Sequence, residues 1–108
     1  MANKEIVNLS TAAFDSAVAS GIWLVDFWAS WCGPCRMQGK LLDNSIEEIS
    51  AAGINVGKVN IDDEPEMAMR FNVLSIPTLL IFKDGQKVRE FIGVQQPATI
   101  IDAVKELK

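Results

Sequence analysis

The sequence predicts an α/β domain with a central mixed five-stranded sheet flanked by four helices, in the order βαβαβαββα. Three features carry that reading. Ile22–Trp28 is hydrophobic at consecutive positions except Asp26, as expected of a central strand covered on both faces. Between the strand-like runs, apolar residues recur at helical spacing and two of these stretches stop at a glycine. Asp84-Gly85 then joins the last two strand-like runs as a tight hairpin, which makes them antiparallel.

Each element follows from local residue choice. Residues 6–9 read as a short first strand. Ser10 is placed to cap a helix that carries Phe14, Ala17 and Val18 and closes at Gly21. Ile22–Trp28 is the second strand. The next helix opens near Pro34, sets Leu42, Ile46 and Ile49 on one stripe, and stops at Gly53. Residues 54–61 alternate as a strand. The acidic run 62–66 suits the positive end of a short helix through Phe71, with Pro65 in its first turn. Calcium is the alternative use for those acids, but the spacing and glycine of a calcium loop are missing. Residues 78–82 and 88–92 form the hairpin strands. Pro97 opens the last helix, striped by Ile100, Val104 and Leu107 with Ile101 beside them, and Lys105 and Lys108 fall at its negative end. Strands separated by helices favour parallel pairing, so the hairpin is expected to supply the antiparallel edge.

The chain has 108 residues, enough for one domain over 1–108 with a single core, and its hydrophobic share of 49% is that of a folded protein. A formal net charge of −4 argues against nucleic acid or an anionic membrane as the main partner. Residues 1–5 carry the charges of Lys4 and Glu5 and lead into no apolar leader region, and Asp26 interrupts the longest apolar run, so a soluble cytoplasmic protein is expected; it is also expected to be a monomer. In that reducing compartment, two cysteines serve catalysis or metal more often than structure.

Those cysteines sit in Trp31-Cys32-Gly33-Pro34-Cys35, directly after the central strand. A strand ending in such a turn delivers both sulfurs to a helix start, where unpaired N–H groups and the helix dipole favour a thiolate. Closing so short a ring removes little entropy from the unfolded chain, so stability is a poor reason for the pair. Cys32 at the helix mouth is then the attacking thiol, and Cys35, one turn in and more buried, the resolving one. Gly33 permits close backbone approach and Pro34 stiffens the first turn. Half a zinc site is the competing use. Structural zinc needs four ligands, and the chain has no histidine and no third cysteine, so no metal is expected.

Asp26 is the second anomaly. On a central strand it shares a face with Leu24 and Trp28, where apolar side chains belong. Burial raises a carboxyl pKa unless a cation compensates, and Lys58, on one face with Ile54 and Val56, is the nearest candidate by pattern. Two roles stay open: a general base for Cys35, or a structural ion pair.

Taken together, residues 25–35, Lys58-Val59-Asn60-Ile61-Asp62, Ile76-Pro77-Thr78-Leu79 and Phe82-Lys83-Asp84-Gly85 with a later Gly93 resemble the thioredoxin family over nearly the whole chain. The resemblance implies the thioredoxin fold and a general protein-disulfide reductase without a bound cofactor. It also implies disulfide-containing protein substrates and reducing equivalents drawn from NADPH through a thioredoxin reductase. By position it makes Cys32 the attacking thiol, Cys35 the resolving thiol, Asp26 the buried acid and Lys58 its neighbour. Pro77 matches a cis-proline, whereas the residues alone allow a trans-proline at a strand start. Trp31, Ile76, Pro77, Gly93 and Val94 match a shallow groove for an extended client peptide. Gly33-Pro34 is the dipeptide of the reducing members. Two departures stand out: Gln38-Gly39-Lys40 replaces a stretch that usually holds a proline, and Ser75 stands where many relatives carry glycine.

The other aromatic and sulfur residues read as packing: Trp23 and Trp28 in the core, Met67 and Met69 around Phe71, with Trp31 alone at the surface. Two functions remain at this point, a dithiol reductase or a docking module in which the thiols are incidental.

Overall fold

The computed structural model describes residues 2–108; Met1, at the head of the segment read for a leader, lies outside the described residues. Its strands are β1 (Ile6–Asn8), β2 (Ile22–Trp28), β3 (Ile54–Asn60), β4 (Thr78–Lys83) and β5 (Gln86–Ile92). They pair in the order β1-β3-β2-β4-β5. The helices are α1 (Phe14–Ala17), α2 (Gly33–Asn44), α3 (Ile46–Ala51), α4 (Pro65–Arg70) and α5 (Pro97–Lys105).

β2 occupies the centre because it can bury both faces. β3 pairs with it in parallel from Ile22↔Ile54 to Trp28↔Asn60, and β4 pairs with it antiparallel from Ile22↔Lys83 to Phe27↔Thr78. Period-2 alternation then divides its side chains. Ile22 and Leu24 join Leu42, Ile49, Ile100 and Val104 in one core cluster. Val25 and Phe27 join Phe14, Met67, Leu80 and Phe82 in a second cluster. In the second cluster Phe14, Phe71 and Phe82 lie 5.3–5.4 Å apart between ring centroids. Tilted and edge-on pairs at that range add about 0.5–1.5 kcal/mol each beyond their buried area.

The antiparallel part begins one strand earlier than expected. α4 rises only about 9 Å, against roughly 23 Å for a seven-residue strand. Instead of carrying the chain back to the far end of the sheet, residues 61–77 return it to the end where β3 stopped, and β4 runs opposite to β2. Asp84 and Gly85 form the two-residue hairpin at φ +50° and +87°, the positive pair that a primed turn needs.

Among the described residues the helices number five where four were expected. The single helix predicted from Pro34 to Gly53 breaks at Ser45, whose N–H donates to the Leu42 carbonyl at 3.2 Å in a tightened last turn. Asn44 and Ser45 are weak helix formers, and their side chains compete for backbone groups. α1 is also shorter than expected: Ser10 Oγ accepts from the Ala13 N–H at 3.2 Å and caps a preceding turn, while the helix itself starts at Phe14. Met69 is exposed rather than packed, because it sits two residues from buried Met67 on α4 and so faces away from the core. Trp23 and Trp28, towards the two ends of the central strand, are half-buried rather than fully in the core.

Candidate active site

β2 ends at Trp28, and the chain turns through Ala29–Trp31 into α2. Cys32 is the N-cap of that helix, with extended backbone at φ −92° and ψ 112°. Its carbonyl accepts the first helical bond from Arg36 N–H at 3.2 Å, and its sulfur accepts from Cys35 N–H at 3.2 Å. A sulfur held there faces the positive end of α2. Cys32 and Cys35 are joined in a disulfide. Pro34 occupies the first turn, where its missing N–H costs nothing. Gly33 and Pro34 are exposed.

The difference in burial between the two cysteines is smaller than the sequence predicts. Cys32 is 6% exposed and Cys35 2%. What distinguishes them is direction: Cys32 lines an open hollow of about 430 Å³, and Cys35 does not. Trp31, Gly33, Pro34 and Ile76 line it, together with Ile61, Val73, Leu74 and Ser75. Cys32 Sγ lies 3.8 Å from the Ile76 carbonyl oxygen. The Ile76–Pro77 peptide bond is cis. Pro77 is buried, and its carbonyl accepts from Gly93 N–H at 2.8 Å; Pro77, Gly93 and Val94, assigned to the groove by the resemblance, are not among the residues that line the hollow. Trp31 is 67% exposed, and its Nε1–H donates to Asp62 Oδ2 at 2.9 Å. That bond fixes the ring over the hollow while leaving its apolar face free.

Sequence reasoning named neither Ile61, Val73 nor Leu74 for the groove, and the most exposed of these lining residues is Leu74. It is exposed and belongs to no helix or strand. The one signal available was the apolar pair Val73-Leu74 just ahead of Ile76.

Asp26 is fully buried, and among the described residues neither of its carboxylate oxygens has a hydrogen-bond partner. Burial pushes its pKa up from 3.8 to about 7, while the charge of Lys58 pulls modestly the other way. Lys58 is its register partner on β3, as the pattern suggested. The lysine forms no direct bridge to it, however, and its Nζ sits over the Trp28 ring at 4.6 Å. A bare carboxyl in this position holds its proton near neutrality and gives it up at modest cost. A second cleft, of about 450 Å³, is lined by Lys58, Trp28, Asn60 and neighbours, and neither cysteine lines it. The hollow beside Cys32 is therefore the one that can do sulfur chemistry.

α2 continues unbroken through Gln38-Gly39-Lys40, where the resemblance places a proline. Among the described residues no three histidine, cysteine or carboxylate side chains gather as a metal-binding group.

A disulfide across one helical turn, with its first sulfur open to an apolar hollow, defines a thiol–disulfide oxidoreductase. The thioredoxin family model matches residues 5–106. A thioredoxin of Staphylococcus aureus is 40% identical over 99 residues, covering 92% of this chain and 94% of that one. Among solved structures, a point mutant of the thioredoxin from Halobacterium salinarum superposes with a TM-score of 0.87 at 27% identity, over 98% of this chain and 93% of that one. A Malassezia sympodialis thioredoxin follows at 0.81 and 28%, over 94% and 90%. The chain belongs to the thioredoxin family. Its activity is accordingly that of a protein-disulfide reductase working by dithiol/disulfide exchange at Cys32 and Cys35.

Proposed function

We propose that the chain acts as a single-domain, monomeric electron carrier that reduces disulfides in client proteins, with distinct roles for the residues around its cysteine pair. The observation that carries the assignment is the position of Cys32 Sγ, on the helix cap and facing the hollow, with Cys35 behind it. In the reduced protein the Cys32 thiolate attacks a client disulfide. That S–S bond breaks, a mixed disulfide to Cys32 forms, and one client sulfur leaves and takes up a proton. Cys35 then gives its proton to the Asp26 carboxylate and attacks Cys32 Sγ. The mixed disulfide breaks, and the second client sulfur leaves as a thiol once protonated. The client gains two electrons and the protein ends with the Cys32–Cys35 disulfide. Lys58 limits how far the Asp26 pKa rises, keeping the proton exchangeable near neutral pH.

Trp31, Ile76, Pro77, Gly93 and Val94 receive the client as an extended strand. The apolar hollow and the free backbone beside Ile76 suit broad rather than sequence-specific recognition. Recharging draws electrons from NADPH through a thioredoxin reductase, in a cytoplasmic setting. Dithiothreitol-driven insulin reduction tests the scheme. The wild-type chain is expected to accelerate precipitation of the insulin B chain and Cys32→Ser to abolish the effect, while Cys35→Ser accumulates a covalent insulin adduct. Equal rates for wild type and Cys32→Ser would favour a docking module with incidental thiols.

A further inference from the structure

Gln38 is a polar residue in an apolar place. It follows Cys35 by three positions, so the two share a face of α2, and it is fully buried beside Gly39 and Leu42. A buried amide needs partners at both ends. Gln38 finds both on one residue: Oε1 accepts from Gln95 N–H at 2.7 Å, and Nε2–H donates to the Gln95 carbonyl at 3.1 Å. The side chain thus pairs with the backbone of Gln95 as a neighbouring strand would.

That backbone directly follows Gly93 and Val94, read above as part of the client groove. Residues 93–96 lie between β5 and α5 and belong to neither element. Gly93 N–H is bonded to the Pro77 carbonyl at 2.8 Å, and Gln95 Nε2–H reaches the Gly93 carbonyl at 3.3 Å. At Gly93, with φ +91°, a side chain would meet nothing within 4 Å, so this face of the segment is open. One end of the segment is therefore tied to the Ile76–Pro77 strand entry and the other to the helix that carries Cys35. An apolar side chain at position 38 would fill the same space and leave both Gln95 groups without these partners.

We propose that Gln38 is a positioning residue for client binding, its amide tying the redox helix to the Gly93–Gln95 segment so that the client groove is set before a client arrives. The inference rests on the reading of the Gly93–Val94 segment as part of the client groove. Preset geometry lowers the ordering cost of each encounter, so its loss is felt in KM for clients that extend along the groove. A small disulfide that touches Cys32 alone does not feel it.

Four measurements test this. Gln38→Met keeps the length and removes both hydrogen bonds. KM for a disulfide-linked peptide extending several residues on either side of its cysteine is expected to rise about tenfold with kcat nearly unchanged. The rate with a small aromatic disulfide is expected to stay within about twofold of wild type. Equal losses on both substrates, or no loss on either, overturn the proposal. Amide exchange in the wild-type chain makes the test independent of how the variant folds: Gln95 N–H must be protected, and exchange at the rate of an unstructured peptide overturns the proposal. Trp31→Ala separates the two readings. If it raises the peptide KM while Gln38→Met does not, only the Gln38 role falls; if it leaves the peptide KM unchanged, the groove reading and this proposal fall together.

Discussion

Asp26 ties the stability of the fold to pH. Between its ordinary value of 3.8 and about 7, the folded chain keeps a proton that the unfolded chain has released. Stability is therefore greatest below that window and declines as pH rises through it. A shift of that size corresponds to about 4 kcal/mol at 1.36 kcal/mol per unit. Asp26→Asn keeps the shape and removes the charge, so urea unfolding at pH 8 is expected to give a variant more stable by about 2–4 kcal/mol. Near pH 4 the difference is expected to shrink toward zero; a gain independent of pH would contradict the assignment. The same variant is expected to resolve mixed disulfides more slowly in stopped-flow fluorescence, with the initial attack by Cys32 little changed. The parity of β2 already made Asp26 conspicuous in the sequence, because alternation places it on the same face as Leu24. Its lack of a salt bridge was not legible, since it depends on where the flexible Lys58 side chain comes to rest.

At the scale of elements, α2 carries most of what is particular to this chain. Gly39 lies inside it with room for a methyl group: an added Cβ would sit 3.5 Å from Lys58 Nζ, an ordinary contact. Mid-helix glycine costs about 0.5–1 kcal/mol relative to alanine. Gly39→Ala is therefore expected to raise the melting temperature by about 4 °C, measurable by circular dichroism. A drop would mean that Lys58 needs the vacant space. The helix start was readable from Cys32-Gly33-Pro34, because capping and proline preferences act over adjacent residues. The break at Ser45 was harder to see, since the apolar stripe from Leu42 through Ile46 to Ile49 runs straight across it. The pairing of Gln38 with Gln95 lies beyond any local rule: the partners are 57 positions apart and one contributes only its backbone. The direction of β4 depended likewise on the rise of α4 against strand length, a comparison that needs both elements placed first.

The molecule as a whole is built on a five-stranded sheet between two core clusters, with its redox pair at the end of the central strand. Gly33-Pro34 matches the reducing members of the family, so equilibration with glutathione buffers is expected to leave the pair largely as dithiol until the buffer is strongly oxidised. A pair already oxidised in a glutathione buffer rich in thiol would place it among the oxidants instead. The chemistry also has a consequence for the edges of the sheet. A protein that repeatedly handles extended, half-unfolded clients risks recruiting them onto its own unpaired strands. Here β1 offers only three residues. The other border, β5, carries Lys87, Arg89 and Glu90 and loses its even register with β4 between Ile81 and Phe82. A short border and a charged, irregular one make poor templates for an added strand, so both edges of the sheet resist pairing with another chain.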